Sequence, residues 1–386
     1  MKHAYEYIVV GCGGLGSAAA YRLACEARGE VLALEQFRLG HDNGASQDHS
    51  RIIRLSYHDP AYTALTPHTY MAWDEVEEES GVQLVVKTGG LDLAAPGCES
   101  IGNYAAAMTA AGFPYEDLSA AEAMRRWPQW RLDDGDRVLY QADAGLVDAR
   151  KANATHIALA RAHGATVLDN APVREIKVNG TGVQVVTDDA IFQADKVVVA
   201  ADAWTNQVLA SVGFSMPLTI TQEQVTFWAT PHLRQFAPDR FPIWIWHGED
   251  YYGFPVYGEV ATKAGVDVGG QVVTTETRTF EKDRAANERL VTFLEQRLPG
   301  YVGPELYTKS CLYTMPPDRN FTIDFVPSQP RILVAQGAAH AYKFAALIGK
   351  ILADLAVRGE TRYPIDPFSA TRAALSDPAY ELALHM

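Results

Sequence analysis

The 386-residue sequence is acidic, with a formal net charge of −14, and its 48% hydrophobic and 21% charged residues are ordinary for a globular enzyme. This length predicts two domains or one elaborated α/β unit, and the charge argues against binding nucleic acid or anionic membrane through the bulk field. The four cysteines lack a C-x-x-C or zinc spacing and no apolar run reaches membrane-spanning length, so we expect a cytoplasmic protein without disulfides.

The first forty residues contain the pattern of a dinucleotide-binding β-α-β unit. The run YEYIVV predicts a buried parallel strand, and GCGGLG, a helical stretch of small residues and the strand EVLALEQ follow it. Gly11, Gly13 and Gly16 form G-x-G-x-x-G with Gly14 among them, and Glu35 closes the second strand. The glycines permit a tight turn, a close pyrophosphate and close helix packing, while Glu35 would accept ribose hydroxyls. The unit predicts a site for FAD or NAD, and Glu35 argues against NADP.

The rest of the chain alternates between segments with helical or α/β patterns and segments rich in predicted strands. Helical and α/β patterns occur near residues 60–80, after residue 148 and in the last seventy residues. Residues 81–147 read as strands with a short helix, and the aromatic-rich alternation after residue 213 is typical of an antiparallel sheet with one buried face. We therefore predict an α/β (α+β) fold in which a discontinuous dinucleotide-binding domain carries an inserted antiparallel-sheet substrate domain. The predicted segments are 1–80, 148–212 and 316–386 for the first domain, and 81–147 and 213–315 for the second.

Two features favour FAD over NAD. The dinucleotide domain of glutathione-reductase-type FAD enzymes is commonly interrupted, and its C-terminal segment returns to the flavin. The glycine-bearing turn from Gly337 to Lys343 suits that role, and KVVVAADAW (196–204) suits a strand and turn beside FAD. An NAD-binding or catalytically silent protein is the alternative of a different class, and it would be colourless.

Five stretches of the sequence point to one group of flavoproteins. They are VVGCGGLGSAAAYRLA, NGASQDHSRIIRLSY, YYGFP followed by TK, CLYT with DRNFTID, and GAAHAYKFA. Together they resemble the monomeric sarcosine oxidase and N-methyltryptophan oxidase family over essentially the whole chain. The resemblance implies a monomeric FAD-dependent oxidase whose partners are O2 and a small secondary-amine amino acid, giving an imine that hydrolyses and H2O2. An oxidase or dehydrogenase of a cyclic imino acid or biosynthetic amine intermediate is the alternative on the same fold.

The resemblance also implies roles for residues around the flavin. Cys311, in its C-x-Y stretch, would carry FAD through a thioether to the 8α-methyl group, which needs only one thiolate. Lys263 would face the flavin and assist O2 reduction through its fixed positive charge, with Arg51 and Tyr313 as further catalytic residues. Beyond the glycine turn and Glu35, the predicted cofactor-binding residues are Ser50, Arg51, Val173, Cys311, Gly337 and Lys343.

The substrate residues implied by the resemblance include two departures from the family pattern. Arg54 and Lys343 would bind the substrate carboxylate, and Tyr252 would line the substrate cavity. Asp267 stands where sarcosine oxidases have a histidine shortly after the catalytic lysine. Gln47, Asp48, His49 and Ser50 stand where the family commonly has His-His-Gly-Asp-Thr before the RIIR stretch. An acid at the cavity suggests a substrate with an added polar or cationic group.

Each of these assignments has a structural alternative. A free cysteine is usually a small buried apolar side chain, the arginines could be a surface pair on a strand, Lys343 could lie on a helix surface, and the tyrosines could belong to the core. Trp244 and Trp246 either wall the pocket or fill the core. The eleven histidines form no metal-binding motif, so no metal site is predicted.

Overall fold

The computed structural model describes residues 2–383 and begins with the predicted dinucleotide-binding unit. Its elements are strand β1 (Ala4–Val10), helix α1 (Gly14–Ala27) and strand β2 (Val31–Leu34). The two strands pair in parallel, with Val10 opposite Leu34. The strands are apolar at their C-terminal ends because a parallel sheet is covered by other elements on both faces.

The remaining elements follow in chain order. Those up to residue 147 are β3 (Arg51–Ile53), α2 (Pro60–Thr63), α3 (Thr66–Ser80), β4 (Val85–Lys87), β5 (Gly90–Ala94), α4 (Glu99–Ala111), β6 (Glu116–Ser119), α5 (Ala120–Arg126), β7 (Arg137–Gln141) and β8 (Gly145–Val147). Those up to residue 212 are α6 (Ala149–Ala162), β9 (Thr166–Leu168), β10 (Val173–Asn179), β11 (Gly182–Thr187), β12 (Ile191–Val199) and α7 (Thr205–Leu209). The last are β13 (Thr219–Trp228), β14 (Ile243–His247), β15 (Tyr251–Phe254), β16 (Thr262–Val266), β17 (Gln271–Val272), α8 (Arg284–Arg297), β18 (Glu305–Met315), β19 (Thr322–Val326), β20 (Gln329–Gln336), α9 (Ala345–Arg358) and α10 (Ala373–Ser376).

The first sheet brings three loops to one edge. Its strand order is β10-β11-β12-β1-β2-β9, and β20 pairs with β12 and with β19. β1, β12 and β20 run parallel, so their carboxyl ends lie side by side. The turns that begin at Gly11, Ala200 and Gly337 therefore meet there, which is where open α/β sheets bind ligands.

The second sheet unites strands from distant parts of the chain. Its order is β17-β13-β16-β15-β14-β5-β7-β6, with β18 paired to β13. It differs from the predicted antiparallel sheet at one pair, because β5 runs parallel to β14. Strands from 81–147 and from 213–315 thus share one sheet, while β3, β8 and β4 form a separate three-stranded sheet. The domain boundaries themselves stay a prediction.

Two helices, α4 and α8, were not predicted from the sequence. α4 lies in the segment predicted as strands, and α8 lies in the segment predicted as sheet. α8 is mostly polar, and its buried residues are Asn287, Leu290 and Leu294. Its apolar residues therefore gave only a weak helical repeat in the sequence. Trp244 and Trp246 are buried in the core beside the second sheet. Of the two alternatives, they therefore fill the core rather than wall the pocket. Within residues 2–383, no helix is long and apolar enough to cross a membrane.

Candidate active site

One cavity of about 770 Å³ runs from the turn after β1 to strands β16 and β18 of the second sheet. Every predicted site residue except Gly16 lines it. These are Gly11, Gly13, Gly14, Glu35, Ser50, Arg51, Arg54, Val173, Tyr252, Lys263, Asp267, Cys311, Tyr313, Gly337 and Lys343. Their assigned roles stay predictions, but the fold brings together residues that lie far apart in sequence.

The glycine turn has the geometry that dinucleotide binding requires. Gly11 has a φ of +95°, which favours glycine, and its N–H donates to the Leu34 carbonyl at 2.8 Å. Gly16 lies behind the turn, where a Cβ would come within 1.9 Å of the Gly11 carbonyl oxygen. The N–H of Gly14, in the first turn of α1, donates to Ser46 Oγ at 2.8 Å. Gly13, Gly14 and Leu15 line the cavity, so the N-terminus of α1 borders it and would attract a pyrophosphate.

Glu35 sits at the end of β2 as a buried, ionised acceptor. Its oxygens accept from the N–H groups of Cys12 at 2.8 Å and Phe37 at 3.1 Å, and His41 Nε2 lies 3.3 Å away. Burial opposes ionisation, but these hydrogen bonds prevail and lower the pKa of Glu35. The Ala171 N–H donates to the Glu35 carbonyl, which holds the chain leading to Val173 against this end of the cavity.

Lys263 lies in a buried charged cluster with the loop before β3. Its Nζ is 2.5 Å from Asp48 Oδ2 and donates to the carbonyl and hydroxyl of Ser50 at 2.8 and 2.9 Å. Burial lowers the pKa of Lys263 to about 8, although Asp48 opposes the shift. Arg51 donates to three carbonyls of its own loop, and its Nη1 lies 3.5 Å from Asp48. The cluster keeps two cations and one carboxylate at this wall.

Cys311 is half-buried on β18, opposite Glu223 of β13. Burial raises the pKa of its thiol to about 12, whereas Arg51 and Lys263 act to lower it. All four cysteines are free. Cys12 also borders the cavity but is buried in the glycine turn, so Cys311 is the cysteine on the second-sheet side of the cavity.

Arg54 is held by an acid that the sequence analysis did not identify. Its Nη1 lies 2.5 Å from Asp92 Oδ1, and its Nη2 donates to the Tyr104 hydroxyl at 3.2 Å. Asp92 also contacts His247 Nε2 at 2.8 Å and accepts from Ser56 at 3.0 Å. Burial opposes ionisation of Asp92, but Arg54 prevails and lowers its pKa. The Arg54 charge is therefore largely balanced before any substrate arrives.

Lys343 differs from Arg54 because no carboxylate within residues 2–383 pairs with its ammonium group. It donates to the Tyr57 hydroxyl at 2.8 Å and the His340 carbonyl at 3.1 Å. His340 Nε2 lies 3.0 Å from the Arg319 carbonyl, so this nitrogen donates and Nδ1 accepts from Tyr57. Burial, helped by the nearby Arg54, lowers the pKa of Lys343 to about 7, although the Asp267 carboxylate acts to raise it.

Asp267 reaches the cavity. Both of its oxygens contact Arg319 Nη2, at 2.8 and 2.9 Å, and its side chain keeps 29% of its exposure. Tyr252 and Tyr313 line the cavity nearby, and burial raises the pKa of both phenols. This part of the cavity combines two tyrosine rings with the Asp267 carboxylate.

Several residues of the site were missed from the sequence. Asp92 had a usable signal, because it is a single acid within the apolar run GLDLA of β5. Tyr57, Arg319 and Ser46 lie in stretches that carry the family resemblance, but their roles depend on contacts with residues distant in the chain, which no local pattern shows. Tyr342 walls the glycine turn, where a Cβ on Gly14 would come within 2.7 Å of its ring.

The residues present fit FAD. The turn and the first N–H groups of α1 suit a pyrophosphate, and Glu35 suits ribose hydroxyls. At the other wall, Gln47 is 8% exposed and its Oε1 has no hydrogen-bond partner among the described residues. A buried orphan acceptor on the cavity wall indicates a donor group that belongs to a ligand.

Away from the cavity, the side chains of Cys25, Glu79 and His163 bring potential metal ligands within 4.8 Å of one another. Glu79 already accepts hydrogen bonds from Tyr21 and His163. The group is therefore satisfied without an ion, and the absence of a metal site stays a prediction.

A dinucleotide-binding sheet with this glycine turn, joined to a second sheet across one cavity, defines an FAD-binding oxidoreductase. The chain belongs to the FAD dependent oxidoreductase (DAO) family, which matches residues 6–355. The predicted fold class and the use of FAD are thereby confirmed.

Relatives align over nearly the whole chain. Monomeric sarcosine oxidase of Streptomyces avermitilis is 34% identical, over 97% of this chain and 99% of its own. N-methyl-L-tryptophan oxidase of Escherichia coli is 31% identical, over 95% and 99%. Among solved structures, NikD, an unusual amino acid oxidase essential for nikkomycin biosynthesis, matches with a TM-score of 0.85 and 28% identity over 95% of this chain and 98% of its own. The predicted resemblance is therefore confirmed.

Proposed function

We propose that the protein is an FAD-dependent oxidase of secondary-amine amino acids, such as sarcosine or N-methyl amino acids. The observation that carries the proposal is a single cavity that joins the glycine turn, the Cys311 thiol and the unpaired ammonium of Lys343. The names of the relatives support the same class of substrate. When bound, FAD would take a hydride equivalent from the C–H next to the amine nitrogen, leaving an imine that hydrolyses, and pass two electrons to O2 to give H2O2.

Lys343 is the proposed main anchor of the substrate carboxylate. Two of its three N–H donors are used by Tyr57 and His340, and both acceptors are neutral. Arg54 lies 5.6 Å from the Tyr57 ring centre and Lys343 5.2 Å from it, so the two cations lie close to the same buried ring, and both line the cavity. Because Asp92 balances Arg54, a single substrate carboxylate would neutralise the remaining charge. The amine can bind already deprotonated, so no side chain need act as a strong base.

Asp267 is the proposed specificity residue of the cavity. Its carboxylate keeps part of its surface toward the cavity while Arg319 fixes its orientation. A substrate that presents an N–H or O–H donor there would satisfy this acceptor, and an apolar group would leave it desolvated. We therefore expect a substrate larger and more polar than sarcosine.

Asp267 also favours a second candidate function, an oxidase or dehydrogenase of a cyclic imino acid or biosynthetic amine intermediate. The likeness to NikD, whose description is that of an unusual amino acid oxidase, supports keeping this candidate. The two candidates differ only in the substrate body and the electron acceptor, so one assay separates them.

The test is a visible spectrum followed by a substrate panel. The purified protein should be yellow, and sarcosine, N-methyl-L-tryptophan, L-proline and pipecolate should then be compared for anaerobic flavin bleaching and for H2O2 release in air. Bleaching without H2O2 would indicate a dehydrogenase. A colourless protein that also fails to bind added FAD would contradict the proposal.

Cys311→Ser is expected to release the flavin. After acid precipitation, the wild-type pellet should stay yellow, and the variant should leave its FAD in the supernatant, because serine cannot form the thioether. Cys98→Ser, at the other half-buried free cysteine, is the matched control and should keep a yellow pellet. Yellow colour in the wild-type supernatant would remove the covalent link while leaving FAD binding intact.

We also propose that the protein is a cytoplasmic monomer, as the word monomeric in its relatives' names and the four free cysteines suggest. Size-exclusion chromatography with light scattering should give a mass near 42.3 kDa.

A further inference from the structure

Asp48 occupies a backbone position that does not suit it. Its φ is +83°, in the left-handed region that favours glycine. It is nevertheless 3% exposed, and its side chain is fully engaged. Oδ1 accepts from the His49 N–H at 2.6 Å, and Oδ2 lies 2.5 Å from Lys263 Nζ. Aspartate is one of the few residue types that tolerate this conformation, and backbone strain of this kind is found at functional sites.

The same loop arranges the groups around Lys263. Ser50 contributes two further acceptors to the Lys263 ammonium, so the lysine is tied to the loop at three atoms. The Phe254 ring centre also lies 4.2 Å from Nζ. These contacts therefore fix the position of the lysine side chain at the cavity wall.

We propose that Asp48 is a positioning residue that keeps Lys263 as an ammonium ion at the cavity wall, and this rests on the proposed role of Lys263 beside the flavin. Without a carboxylate, a lysine at 3% exposure next to Arg51 would tend to lose its proton. Asp48 opposes both effects and offsets part of them, and the cluster of Asp48, Arg51 and Lys263 keeps one net positive charge.

The titratable groups near Lys263 come from the loop before β3, from β3 itself and from β18. Asp48 and Arg51 come from the loop and β3, and the Cys311 thiol comes from β18. Tyr307 of β18 faces Asp48, and the other near neighbours, Phe227 and Phe254, are uncharged. Asp48 is the only carboxylate within hydrogen-bond distance of Lys263 in the described part of the chain. Removing it is therefore expected to lower the pKa of Lys263.

The experiment is a pH titration of the holoenzyme labelled with [ε-¹³C]lysine and followed by NMR. The Lys263 signal is assigned as the one missing from Lys263→Met. In the wild type its midpoint should lie near pH 8. In Asp48→Asn and in Asp48→Gly it should fall by about 1–3 pH units, the usual effect of losing an adjacent opposite charge. The glycine variant suits the local φ, so it provides a folded protein if asparagine does not.

Asp136→Asn is the matched control, since Asp136 is equally buried but pairs with Arg297 instead. It should leave the Lys263 midpoint at its wild-type value. An unchanged or raised midpoint in both Asp48 variants would overturn the proposal. The titration reads the lysine directly, so its result stands whether or not O2 is the acceptor. The reoxidation rate of the same variants, by contrast, tests the proposed function.

Discussion

Lys263→Met is expected to lower the rate constant for reoxidation of the reduced enzyme by O2 by about 10²–10³-fold, the usual effect of removing one preorganised charge. O2 gains negative charge as it is reduced, and Lys263 supplies a fixed cation at the cavity wall. Reduction by substrate without O2 should change little, because the carboxylate anchor Lys343 is untouched. Stopped-flow absorbance measures the two half-reactions separately.

The control for this substitution is Lys196→Met, which removes a partly buried lysine that donates to the Ala356 carbonyl. It should reoxidise at the wild-type rate. We expect Lys263→Met to fold, because Arg51 stays 3.5 Å from Asp48 and continues to balance that carboxylate. Wild-type reoxidation in Lys263→Met would show that the lysine is structural. Slow reoxidation of the wild type itself would favour the dehydrogenase.

Lys343→Met is expected to weaken the binding of a simple carboxylate by about 2–4 kcal/mol, or roughly 30- to 1,000-fold in Kd. The ammonium of Lys343 forms no salt bridge among residues 2–383, and Asp267 acts on it only through space, so a bound anion would be its first direct ion-pair partner. Acetate is a suitable probe because it has no amine to oxidise. Its Kd is read from the change in flavin absorbance as acetate is added.

The same site predicts a pH dependence with a definite sign. The pKa of Lys343 is lowered to about 7, so the ammonium that attracts acetate is present below pH 7 and is lost above it. Loss of one linked proton should raise the Kd of acetate about fivefold between pH 7 and pH 8. Lys263, whose pKa is lowered to about 8, loses half of its charge by pH 8, so the Lys343→Met variant is needed to separate the contribution of Lys343 from that of Lys263. In Lys343→Met, this rise should disappear.

Lys350→Met provides the control for both measurements, since Lys350 lies on α9 and pairs with Glu75 at 2.6 Å. It should keep the wild-type Kd and pH profile. If Lys343→Met binds acetate as the wild type does, Arg54 must be the anchor, and its pairing with Asp92 would have to open on binding.

Much of the fold follows from local pattern. The strand, glycine turn, helix and acid of the first forty residues are contiguous, and each obeys a rule that needs no distant partner, so β1, α1, β2 and Glu35 lie as predicted. The parallel β5–β14 pair and helix α8 were not predictable in this way. Strand direction depends on a partner 150 residues away, and the buried stripe of α8 is too narrow to give a clear period.

The candidate site likewise has features that local sequence predicts and features that depend on distant contacts. The sequence by itself determined the residue types, the dinucleotide turn, the lone Cys311 and the cations of the family motifs, because each stands in a recognisable local stretch. Only the tertiary structure decided which cation is already neutralised. Asp92 pairs with Arg54 and Asp48 with Lys263, while Lys343 meets only neutral partners. Coulomb interactions act through space over a few ångströms, so the charge available to a substrate depends on neighbours that chain folding selects.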